Sequence, residues 1–442
     1  MLGKSFTLLS VGLLLSLSSL AQAAPLVKCQ VELDRGVLLA GPAQTTVIKI
    51  ALDAPQAPRT DKRAPVNLAL VLDRSGSMSG NKIAKAREAA IEALHRLAPG
   101  DLFSLVVYDD TVQTLVPAQP VGNIEAIEAQ IRRIEPGGST ALFSAVSQGA
   151  AEVRKHNDGS YVHRVVLLSD GLANIGPSNP DDLARLGAAL LKEGISVTTV
   201  GVGTDFNEDL MARLAERSDG NHYFVESSAD LPRIFAAELG DVLSVVARKV
   251  VIRIDCPDGV KPLRIIGREG SIRGQKVEIR MNQLYGGQEK YALVEVEVPA
   301  SQAGHRLDLA KVDCRYRNAL TDKGESSTAV VYTRFSRRPE EVRQAASKEV
   351  QKSVVENEMA VARDKALNLY NAGRKDEAAQ ALREKSTLLQ EQNASLGFSD
   401  LAAEAGQLQE EAVEFEADQL DSTRKKELRS DSFKVRKQQK AY

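Results

Sequence analysis

Five oxygen-bearing side chains, grouped in three short segments, have the types and spacing of a metal site. Asp73, Ser75 and Ser77 alternate in the first segment, Asp-Arg-Ser-Gly-Ser. Thr140 closes the second, Pro-Gly-Gly-Ser-Thr, and Asp170 lies in the third, Leu-Leu-Ser-Asp-Gly. Hard divalent cations prefer oxygen ligands, and Mg2+ in particular retains several waters. If the segments converge, they predict a cation site, with Mg2+ as the expected ion and Mn2+ or Ca2+ as alternatives.

Each segment taken singly has an ordinary structural explanation. Asp and Ser are common where a strand turns into a helix, because their side chains accept hydrogen bonds from backbone N–H groups. The metal interpretation therefore depends on whether the surrounding elements bring the three segments together.

The pattern around the segments predicts an α/β domain over residues 66–247. Apolar runs predict buried strands at Asn67–Asp73, Leu102–Tyr108, Arg164–Asp170 and Ile195–Val202. The stretches between them carry apolar residues at a spacing of three to four, which is typical of amphipathic helices. This alternation indicates a doubly wound, mostly parallel sheet, whose ligands bind beyond the carboxyl ends of the strands. All three segments are expected at that edge.

Together, the strand, the Asp-x-Ser-x-Ser loop, the Gly-Gly-Ser-Thr loop and the Ser-Asp-Gly loop resemble a von Willebrand factor type A domain with a metal-ion-dependent adhesion site. The resemblance implies that Ser75, Ser77 and Thr140 contact the metal through their hydroxyls. It implies that Asp73 and Asp170 act directly or through water. It also implies a protein partner whose Asp or Glu completes the coordination of the ion.

The wider layout is similar to bacterial exported proteins related to calcium-activated chloride channel regulators and, more distantly, to inter-alpha-trypsin inhibitor heavy chains. Two departures limit what the resemblance implies. The residues ahead of Val66 are too few for the N-terminal domain of the inhibitor heavy chains, and no His-Glu-x-x-His motif occurs, so zinc protease activity is not implied.

The segments that flank this domain predict an antiparallel β-sandwich. Residues 24–65 and 248–337 alternate apolar and polar positions, as in Val250, Ile252 and Ile254. The first segment offers too few strands to fold alone. We therefore expect it to join the second in one sandwich, with the α/β domain inserted between them.

The C-terminal part predicts helices followed by a disordered end. Residues 338–421 are rich in Ala, Glu, Lys, Gln and Leu and predict a helical hairpin or bundle. Residues 422–442 form a basic tail, for which we expect disorder and, as the alternative, electrostatic contact with anionic envelope components.

The N-terminus has the layout of a secretory signal peptide over residues 1–23. Lys4 precedes an apolar stretch, and Ala21-Gln-Ala23 forms a small-x-small cleavage site. We expect an exported product, periplasmic or secreted, without a transmembrane segment. A formal net charge of −2 gives no reason to expect a nucleic-acid partner.

Export permits disulfides, and the chain has three cysteines. Cys256 and Cys314 both end strand-like segments of the same region and are the preferred pair. Cys29 could pair with either of them, and the sequence does not choose.

These features predict an exported, metal-dependent module for protein binding or adhesion. The alternatives are an envelope assembly scaffold with a purely structural metal and a hydrolase. We expect no catalytic residues, because none of the five histidines lies in a Ser-His-Asp, Cys-His or zinc-ligand pattern.

Overall fold

The computed structural model describes residues 25–56, 63–157, 159–396 and 399–441. The predicted signal peptide, residues 1–23, lies outside them. Within the described residues, no helix combines the length and apolar character needed to cross a bilayer.

A six-stranded sheet forms the centre of the α/β domain, in the order β6-β5-β4-β7-β8-β9. Its strands are β4 (Val66–Asp73), β5 (Leu102–Tyr108), β6 (Val112–Pro120), β7 (Val162–Ser169), β8 (Ile195–Val202) and β9 (His222–Val225). Neighbouring strands are parallel except β5 and β6. The buried runs in β4, β5, β7 and β8 confirm the strands that the sequence predicts.

Helices cover both faces of this sheet, because strands that are apolar on both faces must be shielded twice. The helices are α1 (Asn81–His95), α2 (Ile124–Arg132), α3 (Leu142–Arg154), α4 (Pro180–Glu193), α5 (Glu208–Arg217) and α6 (Leu231–Leu243). One apolar core joins α1, α2 and α6 to one face, and a second joins α3, α4 and α5 to the other. Helix α6 ends at Leu243 and the next strand begins at Val245, so the sandwich resumes slightly before the predicted boundary.

Two sheets form the β-sandwich, and the N-terminal strands belong to it. One sheet contains β1 (Lys28–Leu33), β3 (Gln44–Ala54), β14 (Gln288–Val298) and β11 (Lys261–Ile266), with β17 (Gln439–Ala441) beside β14. The other contains β12 (Ser271–Arg273), β13 (Lys276–Tyr285), β10 (Val245–Asp255), β15 (Arg306–Asn318), β16 (Gly324–Ser336) and β2 (Val37–Leu39). Strand β3 lies antiparallel to β14, with Ile50 opposite Ala292, so the α/β domain is inserted in the sandwich as predicted.

The predicted disulfide is wrong, because Cys29 is bonded to Cys314 and Cys256 is a buried free thiol. Strands β10 and β15 are neighbours, but their register places Ile252 opposite Cys314. Cys256 therefore lies four residues farther along, roughly 13 Å at the usual rise of a strand. Cys29 instead reaches Cys314 from β1 of the facing sheet.

Helices α7 (Pro339–Gln344), α8 (Lys348–Asn371), α9 (Lys375–Leu396), α10 (Ser399–Glu416) and α11 (Ser422–Arg436) complete the fold. The expected disordered tail is wrong, because residues 422–436 form α11 and Gln439–Ala441 form β17. Cations of α11 are bound by the protein itself: Lys426 contacts Glu208, Arg429 contacts Asp209, and Arg436 contacts Glu216. A tail whose charges are held this way is not a free electrostatic tether.

Candidate metal site

The loop that follows β4 is held by the carboxylate of Asp73. Its Oδ1 accepts a hydrogen bond of 2.8 Å from the backbone N–H of Ser75, and its Oδ2 accepts one of 2.7 Å from the hydroxyl of Ser169. The Asp73 side chain is fully buried at the carboxyl end of its strand. This carboxylate therefore orients the Ser-Gly-Ser turn and joins it to the end of β7.

The two serine hydroxyls of that turn lie together and reach Asp170. Ser75 Oγ is 3.1 Å from Ser77 Oγ, and Ser77 Oγ donates a hydrogen bond of 2.7 Å to Asp170 Oδ1. Asp170 directly follows β7, the neighbour of β4 in the sheet. The parallel arrangement thus brings the first and third predicted segments into direct contact.

Thr140 reaches the same place from the second segment. Two backbone hydrogen bonds join the loops, from Gly76 N to Gly138 O at 3.0 Å and from Gly137 N to Arg74 O at 2.7 Å. A Cβ atom on Gly171 would lie 3.4 Å from Thr140 Oγ1 and 3.5 Å from Ser77 Oγ. The hydroxyls of Thr140 and Ser77 therefore flank one point, and the structure brings all five predicted side chains together.

The site contains two buried carboxylates and one ammonium group, so it carries an excess of negative charge. The side chains of Asp73 and Asp170 are both fully buried, and Lys82 is the one cation among the described residues that contacts either, at 2.5 Å from Asp170 Oδ2. Burial raises the pKa of Asp73 to about 6, because the loss of hydration outweighs its hydrogen bonds from Ser75 and Ser169. Two buried carboxylates beside three hydroxyls form a donor set that fits a hard divalent cation.

Three residues of the site were missed by sequence reasoning. Lys82 lies in the first turn of α1, and Ser169 is the last residue of β7. Asn174 accepts a hydrogen bond of 2.8 Å from Thr140 N through Oδ1, and its own N–H donates to Thr140 O at 3.2 Å. Ser169 precedes Asp170 in the predicted motif and could have been considered. Nothing in the sequence marks Asn174, because its role depends on how two loops meet.

The loop after Asp170 exposes apolar side chains beside the site. Leu172 is 59% exposed and Ile175 is 36% exposed. The loop is fixed rather than loose, since Ile175 N also donates to Thr140 O at 3.3 Å. An apolar patch at the rim of a polar site is typical of a surface that contacts another macromolecule.

Other kinds of site find little support in the described ranges. Among those residues, no group of three or more His, Cys, Asp and Glu side chains is arranged to hold a metal ion. Buried His222 contacts Thr199, and His95 contacts Glu128 on the surface. Neither histidine is joined to a Ser-Asp pair as a hydrolase would require.

Residues 67–237 match the family model for the von Willebrand factor type A domain. The chain is 26% identical over 293 residues to an uncharacterized protein of Synechocystis sp., covering 64% of this chain and 69% of that protein. It is 28% identical over 186 residues to inter-alpha-trypsin inhibitor heavy chain H3 of Rattus norvegicus, covering 40% of this chain and 21% of that protein. It is 24% identical over 229 residues to the uncharacterized protein YfbK of Escherichia coli, covering 51% of this chain and 40% of that protein. The matches thus span less than two thirds of the latter two relatives.

Two solved structures share most of the architecture. The von Willebrand factor type A protein from Catenulispora acidiphila superimposes with a TM-score of 0.69 at 17% identity, covering 87% of each chain. The ArnB paralog VWA2 from Sulfolobus acidocaldarius gives a TM-score of 0.62 at 17% identity, covering 93% of this chain and 98% of that one. These likenesses show the fold of the domain, the sandwich and the C-terminal helices.

Proposed function

The chain contains a von Willebrand factor type A domain, and we propose that this domain binds a protein partner through a divalent cation. Domains of this family are generally modules for protein interaction. The hydroxyls of Ser75, Ser77 and Thr140 would hold the ion, with Asp73 and Asp170 supplying charge and orientation. A bound cation would supply an electrophilic centre for a partner's Asp or Glu side chain. Mg2+ is the proposed ion, with Mn2+ and Ca2+ as alternatives.

The observation that carries this proposal is the convergence of three hydroxyls on two buried carboxylates. Ser77 Oγ contacts both Ser75 Oγ and Asp170 Oδ1, and Thr140 Oγ1 and Ser77 Oγ lie within 3.5 Å of the same point beside Gly171. Three of the five donors are neutral hydroxyls, and Lys82 already offsets the carboxylate of Asp170, so these residues would leave part of the charge of a divalent ion uncompensated. An anionic ligand from outside is then favoured, and an acidic side chain of a partner supplies it.

The surroundings of the site support contact with a macromolecule rather than catalysis. Leu172 and Ile175 are exposed beside the carboxylates and would contact apolar groups that flank the partner's acidic residue. The five side chains that converge here include no histidine, which a Ser-His-Asp hydrolase would require. We propose no catalytic role.

We also propose that the protein is exported, to the periplasm or the exterior. The sequence pattern of residues 1–23 supports this proposal. The Cys29–Cys314 disulfide supports it independently, because such bonds persist in oxidising compartments.

Titration calorimetry of the full chain tests the metal site. We expect heat on addition of MgCl2, and we expect Thr140→Ala to abolish it with little change in Tm. Thr387→Ala is the matched control, since that exposed hydroxyl donates to Arg383 O of its own helix. Absence of heat with magnesium, manganese and calcium alike would overturn the proposal.

Selection from a displayed random peptide library tests the partner chemistry. We expect the peptides retained in MgCl2 to share an Asp or Glu, and to be released by a chelator. Asn or Gln in place of that residue should abolish retention, as should Thr140→Ala. Retention that survives both the chelator and Thr140→Ala would favour the scaffold alternative, in which a metal serves stability alone.

A further inference from the structure

A cavity of about 760 Å3 lies where the α/β domain, the sandwich and the C-terminal helices meet. Its walls come from α4 and α5, from the strands around β12 and β13, and from α8 and α11. Asp219 and Gly220, which precede β9, line it, so it lies at the amino end of that parallel strand. The candidate metal site lies at the other end of the strands, beyond their carboxyl ends.

Two cations in this cavity are held by neutral oxygens only. The guanidinium of Arg268 donates to Gln438 Oε1 at 3.0 Å and to Lys437 O at 2.8 Å. The ammonium of Lys437 donates to the carbonyl oxygens of Asp219, at 3.2 Å, and Gly220. Neither forms an ion pair in the described part of the chain.

The carboxylates that line the cavity already contact other cations. Asp219 accepts two hydrogen bonds from Lys290, at 2.7 and 2.8 Å. Asp364 contacts both Arg429 and Arg436. The remaining acidic side chains have partners of their own: Glu216 contacts Arg436, Glu269 contacts Arg217, Glu278 contacts Arg280 and Asp209 contacts Arg429. The cavity lining therefore carries nine Lys and Arg side chains against six Asp and Glu side chains.

Two more cations line the cavity and are exposed to solvent. Arg273 and Lys192 are exposed lining residues that make no ion pair within the described ranges. Burial and, second, the neighbouring Lys290 ammonium lower the pKa of Lys437 to about 7.

From this arrangement we propose that the cavity binds a small molecule bearing a phosphate group. Guanidinium and ammonium groups that converge from separate elements suit a multivalent oxyanion, which can accept several charge-assisted hydrogen bonds at once. The volume exceeds that of a lone phosphate and falls within the range of small-molecule sites. The bound anion would join Arg268 of the sandwich to Lys437 behind α11, and so fix the C-terminal segment against the other two parts.

Binding of inorganic pyrophosphate to the full chain tests this proposal, measured by calorimetry with a chelator present to exclude the candidate metal site. We expect saturable binding that weakens by about tenfold or more in Arg268→Gln and Lys437→Met, since each removes a charged donor. Lys311→Gln is the matched control, because it removes an exposed charge from β15, outside the cavity lining. The control should bind as the parent does.

Arg273→Gln with Lys192→Gln keeps the test informative if the Arg268 and Lys437 variants unfold. Both residues are exposed, so the double variant should fold, and it should bind pyrophosphate more weakly.

A second experiment measures binding of the chain to phosphatidylcholine vesicles with and without phosphatidic acid. Retention that requires phosphatidic acid and Arg273 would assign the phosphate to a lipid headgroup, whereas pyrophosphate binding alone would assign it to a soluble molecule. Absence of binding in both experiments, or binding unchanged in all variants, would overturn the proposal.

Discussion

The ammonium of Lys82 lies 2.5 Å from Asp170 Oδ2, while Asp170 Oδ1 accepts a hydrogen bond from the hydroxyl of Ser77. Asp170 is fully buried and Lys82 is 29% exposed. A long side chain from α1 thus neutralises the carboxylate that the proposed cation would also contact. Lys82 and the proposed cation would therefore compete for the same negative charge.

Replacement of Lys82 by Met should therefore strengthen metal binding. Removing a nearby positive charge lowers the repulsion that an incoming Mg2+ meets, and the ion alone then compensates Asp170. We expect affinity to rise on the order of tenfold, equivalent to about 1.4 kcal/mol. Calorimetry with MgCl2 measures it.

The control is Lys85→Met on the same helix, whose ammonium contacts Glu88 on the surface. Its affinity for Mg2+ should equal that of the parent. Weaker binding by Lys82→Met would contradict competition and would instead indicate that Lys82 positions Asp170 for the ion.

The Cys29–Cys314 disulfide should make stability depend on redox conditions. It joins residues separated by 285 positions, and closing so long a loop restricts the unfolded chain. Reduction should lower the free energy of unfolding by about 6 kcal/mol in the chain-entropy account. Denaturant unfolding with and without reductant measures the difference, and Cys29→Ser should reproduce the reduced value.

Thiol counting in denaturant checks the pairing itself. The unreduced chain should react at one cysteine, Cys256, and the reduced chain at all three. Folded protein should react slowly, because burial raises the pKa of the Cys256 thiol to about 11. A peptide map that shows Cys256 bonded to Cys314 would mean that the Cys29–Cys314 pairing is wrong.

Much of the fold follows from hydrophobic pattern, and the disulfide shows where pattern stops. Apolar runs fixed the identity of β4, β5, β7 and β8, and period-two alternation placed the N-terminal strands in the sandwich. Register is a different quantity, because it depends on turns and bulges between distant strands. Strands β10 and β15 shift register between Arg248 and Val251, and no local signal predicts which residue then faces Cys314.

The C-terminal helix α11 was missed because it buries polar groups. Lys426, Arg429, Ser430 and Ser432 are all buried in it, so its contact face carries no apolar period. Its packing depends on carboxylates that precede it by up to 220 residues, such as Asp209. The metal site was easier to predict, because its donors follow strand ends that the sheet itself aligns.

Acid should destabilise the contact between α11 and the α/β domain through His222. This buried ring packs edge-on against Phe433, and burial together with Arg429, Lys434 and Lys426 lowers its pKa from 6.5 to about 3. The unfolded state then binds a proton that the folded state excludes, so stability falls as pH drops from about 6.5 toward about 3.

The loss should reach about 1.4 kcal/mol near pH 5.5 and should disappear in His222→Asn, which can retain a contact with Thr199. Denaturant unfolding across this pH range measures it. His305→Asn, an exposed histidine, is the control and should keep the acid loss of the parent. An equal loss in His222→Asn would assign the effect to other groups.

Arg429→Gln should loosen α11 more than any change to its exposed cations. The guanidinium is buried and contacts Asp364 Oδ1 and Asn368 Oδ1, at 2.7 and 2.8 Å, as well as Asp209. Its removal takes the guanidinium partner from Asp209 and leaves Asp364 with Arg436 alone, which costs about 3 kcal/mol. Hydrogen exchange across residues 422–436 should accelerate, whereas Lys434→Gln, which breaks one exposed pair with Asp431, should leave it unchanged. Equal exchange in the two variants would mean that apolar contacts such as that of Phe433, rather than the buried ion pairs, hold α11 in place.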